Sequence, residues 1–335
     1  MTPFPLLQLP LVAMENVLCI MDPFELIDVS LASSRTKRVV GKFSKTKKKF
    51  LIAFDNSDPS ITIHSEQKSW KCAIKMNEIQ ASQYKRDPIR PGVILVMVNF
   101  LTNLIKVSEE PLKDIMKWFD HAREVLNCKI DKVTFYLGSE SIENRETIDW
   151  IAAQGKTIDD MEIRNTYGEQ SDDDLKYLMK RIHVSGTLSL INMKFRKQFR
   201  MEIPGKPKHL HIANSRFIDY EQLLRLKSPI LILRQPSLTN QEINRFLKSW
   251  MSLETHLELE AFKISISGPN AMNQIMNLPH EKTNYPNLIE AFNDEPFFIE
   301  VEYDMFTIKR CDGKKRATVT VKRLWGEWDF YLIVH

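Results

Sequence analysis

Few residues in this chain have types and spacings that could do chemistry, and the spacings argue against most of it. Gly155-Lys156-Thr157 has the tail of a phosphate-cradling loop, where a tight Gly turn wraps phosphate oxygens and the Lys neutralises them. That loop needs a Gly five residues before Gly155, where Trp150 stands in a helical pattern, so Gly155 is expected to end a helix. Asp172, Asp173 and Asp174 could gather a cation, yet after Ser171 and before an apolar helical face they are expected to cap and complement a helix dipole. His209 and His211 share one face of a strand, as two metal ligands would, but no Cys or carboxylate is spaced to complete a set. Neither a metal nor a cofactor is expected. A Ser or Cys nucleophile lacks any supporting signature, such as G-x-S-x-G, so no catalytic residue is assigned and an enzyme is not expected.

The remaining chemical feature is charge. Arg35, Lys37, Arg38, Lys42, Lys45, Lys47, Lys48 and Lys49 stand together without an acid. Such a run can bind a polyanion or direct nuclear import, and a nucleic-acid-associated protein is the alternative function. Base stacking would need aromatics, and only Phe43 and Phe50 lie near, so a solvated helix end and linker is the simpler expectation.

The elements that must position these groups follow from length and pattern. At 335 residues with 43% hydrophobic content, the chain can bury the core of roughly two domains. No apolar run approaches the roughly 18 residues of a membrane span, so no membrane partner is expected. Cys19, Cys72, Cys128 and Cys311 stand far apart and no Asn-x-Ser/Thr sequon occurs, which points to a reducing cytoplasmic or nuclear location.

Leu9-Pro10 opens a helix with Met14, Val17, Leu18 and Met21 on one face, and Asp22-Pro23 starts a second with Leu26, Ile27 and Leu31. A module of about 40 residues rarely hides that much apolar surface without a partner or a neighbouring domain. Strands are expected at Phe50–Phe54, Ser60–His64, Trp70–Ile74 and Val93–Val98, then a helix capped by Ser108 with Leu112, Ile115, Met116, Phe119, Ala122 and Leu126 on one face.

From 130 to 266, strands starting near Val133, Met161, Leu188, Leu210, Ile230 and Leu257 alternate with helices, a degenerate leucine-rich-like repeat. An irregular loop is expected from Gly268 to Glu295. Strands should follow at Phe298–Val301, Phe306–Ile308, Ala317–Val321 and Trp328–Val334, with a turn at Asp312-Gly313. The fold class is α+β: a small N-terminal three-helix module (1–45) and a larger domain (46–335) made of a β-meander (46–100), a repeat-like α/β part (105–266) and C-terminal hairpins (296–335).

The N-terminal sequence resembles the F-box. Leu9-Pro10, Val17-Leu18, Met21-Asp22-Pro23, Leu26-Ile27 and Ser30-Leu31 fall in register with its L-P-x-E, I-L and L-D-P-x-D-L-L pattern. Val12 stands where the family prefers an acid, and no Trp follows Ser33. Ser237 to Trp250 and Ile308 to Gly313 are similar to the helix and late hairpin of the F-box-associated type 2 family expanded in nematodes. The resemblance implies a non-catalytic substrate receptor of an SCF ubiquitin ligase, its F-box held by the Skp adaptor and through it a cullin scaffold. It assigns adaptor contact to Leu9, Pro10, Met14, Val17, Leu18, Met21, Pro23, Leu26, Ile27 and Leu31, any of which could instead be core. The client protein would bind between about 130 and 266, at residues the sequence does not single out.

Overall fold

The computed structural model describes residues 6–66, 68–76, 101–138, 141–155, 157–165, 172–324 and 326–335. Three helices open the chain because three residues suited to starting them are spaced along it. Pro10 leads into α1 (Leu11–Ile20), Asp22 caps α2 (Pro23–Leu31) and Ser33 caps α3 (Ser34–Lys47). The Asp22 carboxylate accepts from the backbone N–H groups of Phe24 (2.8 Å) and Glu25 (2.9 Å), and the Asp22 N–H donates to Glu25 Oε2 (2.8 Å), closing a capping box. Most of the basic run is thus helix, not linker: Thr36, Val40, Phe43 and Ser44 recur with helical period and bury one face of α3.

Alternating apolar residues then make β1 (Leu51–Asp55), β2 (Ser60–His64) and β3 (Ser69–Lys75), the expected antiparallel meander. β4 (Leu101–Val107) lies parallel to β3, and β5 (Lys129–Leu137) parallel to β1, in the order β5-β1-β2-β3-β4. The strand expected at Val93–Val98 lies outside the described residues. α4 (Pro111–Leu126) begins later than a Ser108 cap would place it, because Pro111 suits a first helical position. Ser108 Oγ still serves that end, accepting from the Glu110 N–H (3.0 Å) and donating to Asp114 (2.6 Å). Ile115, Phe119, Ala122 and Leu126 turn inward, and α4 packs on α2, α3 and β3, with Phe119 edge-on to Phe54 at 5.8 Å. This first compact unit runs to Phe135, so the division expected at residue 45 falls inside it.

The second unit, Tyr136–His335, begins with α5 (Ser141–Gln154), which ends just before Gly155. A short parallel pair follows, β6 (Thr157–Ile158) with β8 (His183–Val184). The main strands are β7 (Asp160–Asn165), β9 (Thr187–Ile191), β10 (His209–Ile212), β11 (Ile230–Leu233) and β12 (Ala261–Ile266), all parallel. In register across them run Met161, Leu188, Leu210, Leu231 and Phe262, each buried, which is why each strand reads as a short apolar run. Helices α6 (Asp172–Arg181), α7 (Tyr220–Arg225) and α8 (Asn240–Met251) lie between strands; Asp219 and Thr239 cap the last two with complete capping boxes. The β9–β10 connection carries no helix among its described residues, so the alternation is irregular. The last expected strand start, Leu257, instead lies in an exposed turn where His256 has φ 47°, and the strand begins at Ala261.

The stretch from Gly268 to Glu295 is not an irregular loop. It forms α9 (Ala271–Ile275), β13 (Glu281–Thr283) and α10 (Pro286–Asn293), because Pro286 starts a helix instead of breaking one and Leu288 and Phe292 bury one turn apart. Phe298–Val301 is not a strand either: Phe298 at φ 52° turns the chain so that the Ile299 N–H reaches the Phe292 carbonyl (2.8 Å). β14 (Met305–Lys309) and β15 (Arg316–Leu324) form the hairpin announced by Asp312-Gly313, with Gly313 at φ 68°. β16 (Glu327–Val334) lies antiparallel between β12 and β15. Helices first, then a larger mixed part with many strands, make the fold α+β.

Candidate docking face

The ten positions assigned to adaptor contact divide by burial. Leu18 (1% exposed), Leu26 (0%) and Ile27 (0%) are core residues of the first unit, and Pro23 is buried at the start of α2. They present no surface to a partner in this chain, a correction that follows from α2 packing on α3 and α4. Leu9, Met14, Val17 and Met21 are half-buried, Pro10 is exposed and Leu31 is 60% exposed.

Three further apolar side chains that the sequence reading left out stand free: Leu11 (65%), Val12 (70%) and Ile20 (85%). Singly, exposed apolar residues are ordinary, but three of them on the ten residues of α1 and a fourth at the end of α2 make these two helices the candidate docking element. The face is held in place from behind. Lys48 donates to the Met21 carbonyl (2.9 Å), burial pulls its ammonium below the usual Lys range, and Lys47 pairs with Glu15 of α1 (3.4 Å). Beside Leu31 lies a cleft of about 370 Å³, walled by Ile74, Lys106, Val107, Trp118 and His121. Lys106 Nζ sits 3.6 Å from the Trp118 ring centroid, and Ser30 Oγ is 3.0 Å from His121 Nε2. Burial, with Lys37 nearby, holds the His121 imidazole below its usual range.

The other candidate residues are structural or unassembled. Lys156 and Ser171 lie outside the described residues. Asp172 and Asp174 do more than cap, since both are buried. Asp174 accepts from Ser141 (2.7 Å), Asn144 (2.9 Å) and Arg145 (3.2 Å), tying α6 to α5, and Asp172 pairs with Arg196 (3.7 Å). His209 and His211 do share a strand face. His211 Nε2 is buried without a hydrogen-bond partner, and burial with Arg234 and Lys263 lowers its pKa. No group of three or more His, Cys, Asp or Glu is placed to hold a metal among the described residues. The four cysteines are free, with Cys19 and Cys311 exposed; burial pushes the Cys72 thiol up to about 11 and the Cys128 thiol up to about 12, far from a reactive thiolate.

Comparison with known proteins meets this geometry at the same residues. The family model for the F-box domain matches residues 6–48, which span α1, α2 and α3. The F-box associated model matches residues 198–264, from the β9–β10 connection into β12, including both capping boxes; the late hairpin at Ile308 to Gly313 lies beyond it. The E3 ubiquitin-protein ligase hecw-1 of Caenorhabditis elegans is 20% identical over 261 residues, an alignment covering 68% of this chain and 20% of that protein. The chain therefore spans about a fifth of the length of this curated relative. No solved structure matches. A three-helix module with exposed apolar residues coincides with one family model and part of the parallel ladder with the other, and the two matches together support an F-box protein that carries an F-box-associated domain.

Proposed function

We propose that this chain is the substrate-recognition subunit of an SCF ubiquitin ligase, binding the Skp adaptor through α1 and α2 and a client protein through its second unit. The carrying observation is the coincidence of the F-box match with four exposed apolar side chains, Leu11, Val12 and Ile20 on α1 and Leu31 at the end of α2. Burying such side chains in an interface is worth about 1.5–3 kcal/mol each before ordering costs. The role is that of a scaffold: one end holds the ligase core, the other raises a client's effective concentration near it. F-box and F-box-associated domains are typical of non-catalytic subunits, and we read this chain as one. The similarity to a protein named as a ubiquitin ligase agrees in kind, although it is weak and reaches only a fifth of that protein. Four free cysteines favour a reducing compartment, cytoplasm or nucleus.

The test is co-purification of the full chain with a Skp adaptor, wild type against Val12→Asp/Ile20→Asp. Both sites are exposed, so the variant should keep its fold while losing the adaptor. A wild-type chain that fails to capture the adaptor, or a folded variant that captures it equally, would refute the reading.

A further inference from the structure

The β9–β10 connection holds a compact cluster of charge. Lys194, Arg196, Lys197 and Arg200 stand close together in the chain with no acid between them, and all four are exposed. Aromatic packing fixes how they are presented. The Phe199 N–H donates to the Arg196 carbonyl (2.9 Å), closing a reverse turn with Lys197 and Gln198 at its corner. Phe195 and Phe199 flank that turn and stack on one another, with ring centroids 4.4 Å apart and planes 10° apart. Phe217 lies edge-on to both, at 4.9 and 5.1 Å. Phe199 and Phe217 are each 3% exposed, so the rings root the turn in the core of the second unit and leave the cations outside. On either side, the carbonyls of buried Met193 and Met201 accept from the side-chain amides of Asn214 (3.0 Å) and Gln222 (3.2 Å), which fix the ends of the segment.

The acids nearby are already engaged. Asp172 of α6 pairs with Arg196 (3.7 Å), and Glu202, the next acid along the chain, pairs with Arg225 (2.9 Å). Lys194, Lys197 and Arg200 make no ion pair among the described residues, and Arg200 donates only to the neighbouring Phe199 carbonyl (2.9 Å). Lys176 of α6 adds a fifth cation, 5.1 Å from the Phe199 ring centroid. Carboxylates are the complement of such a surface, and Arg can grip them with paired N–H groups. A turn held rigid by its rings also lowers the ordering cost of binding. Nucleic acid fits less well, because Phe195 is half-buried against Phe199 and the other two rings are covered, so successive bases have no row of open faces to stack on.

We propose that the turn Arg196–Phe199, with Lys194 and Arg200 beside it, is a docking site for an acidic protein segment. This rests on the reading above and adds the chemistry of the client: the site lies in the second unit, which that reading assigns to the client, and not on the helices it assigns to the adaptor.

The experiment measures fluorescence anisotropy of a labelled polyglutamate peptide, and of labelled single-stranded RNA of equal length, with the full chain. Two variants are compared with the wild type: Lys194→Gln/Lys197→Gln/Arg200→Gln at the turn, and Arg38→Gln/Lys42→Gln/Lys45→Gln in the basic run of α3. All six side chains are exposed, so both variants should melt as the wild type does. Binding is read at about 50 and about 300 mM NaCl, where screening differs strongly. At low salt the turn variant should bind polyglutamate about tenfold more weakly, since each exposed charge contact contributes a factor of about two. The α3 variant should stay within about twofold of the wild type, and at high salt all three should converge. A wild type that does not bind polyglutamate, a turn variant that binds it equally at low salt, or an equal loss in the α3 variant would overturn the proposal. RNA binding more tightly than polyglutamate would overturn it in favour of nucleic acid. Co-purification with a Skp adaptor separates the two levels. Adaptor capture without polyglutamate binding keeps the ligase reading and overturns this site, whereas turn-dependent polyglutamate binding without adaptor capture keeps the site and overturns its assignment to a client.

Discussion

Replacing Leu26 by Ala and, separately, Ile20 by Asp distinguishes support from contact within one small module. Leu26 has no exposed surface and sits on α2, whose ends are fixed by the Asp22 capping box and by packing on α3 and α4. Leu26→Ala removes three carbon atoms where the surroundings are least free to collapse, so about 3 kcal/mol is expected from the range for buried Leu→Ala. For a unit of this size each kcal/mol lowers Tm by a few degrees, giving a fall of roughly 10 °C. Ile20 is 85% exposed, so Ile20→Asp should change stability by less than about 0.5 kcal/mol and Tm by under about 2 °C. Its effect belongs in the complex: an Ile side chain lost from an interface forfeits about 2 kcal/mol, and burying an unpaired carboxylate there adds about 1–3 more. Adaptor affinity should drop by roughly 100-fold or more. Circular dichroism melting and titration calorimetry against a Skp adaptor read the two effects. An Ile20→Asp chain that melts like Leu26→Ala would refute the assignment of exposure, and one that is folded and binds at wild-type affinity would refute the docking face.

Three further perturbations probe the second unit. Burial lowers the His256 pKa to about 4 from an ordinary 6.5, so the unfolded chain takes up the proton first as pH falls. That contribution is complete above about pH 6.5 and is lost progressively down to about pH 4. It amounts to up to about 3 kcal/mol, and His256→Gln should flatten this part of a denaturation series; a slope unchanged in the variant would count against it. Gly186→Ala should destabilise by more than about 2 kcal/mol, because a Cβ there would stand 2.7 Å from the Asp159 carbonyl oxygen, whereas Gly268→Ala, with open space around it, should be near neutral in the same melt. Asp174→Ala should cost about 2–4 kcal/mol by denaturant titration, since Ser141 and Asn144 lose a buried acceptor, although Asn144 keeps its bond to the Gly138 carbonyl (2.9 Å).

What could be read in advance was local. Asp22 before Pro23, Thr239 three residues before Glu242 and Asp312-Gly313 each fix a helix start or a turn by their own chemistry, and all three stand where expected. Short apolar runs likewise announced β9, β10 and β11, because strands flanked by parallel neighbours alternate weakly. Which side of α1 faces outward was not legible. Leu11, Val12, Met14, Val17, Leu18 and Ile20 wrap apolar residues around most of the helix, and only packing from α3 decides that Leu18 goes in and Ile20 stays out. Leu26 and Ile27 were equally open between contact and core, and what buries them is cover from α3 and from α4, the latter some 80 residues downstream. Between Gly268 and Glu295, prolines that suggested breaks instead begin structure, since position within a helix decides what a Pro does.

The antiparallel pairing of β16 with β12 sets an order of events during synthesis. β12 leaves the ribosome about 60 residues before β16, so at about 5–20 residues per second the outer edge of the parallel ladder waits several seconds for its cover. During that interval the backbone groups of Ala261–Ile266 that later pair with β16 face whatever strand is nearest, which is how unwanted pairing between nascent chains begins. A message cut short before Trp328 would make that interval permanent. Premature stop codons late in this gene should therefore yield aggregating products, even though the helical module and most of the ladder have already been made.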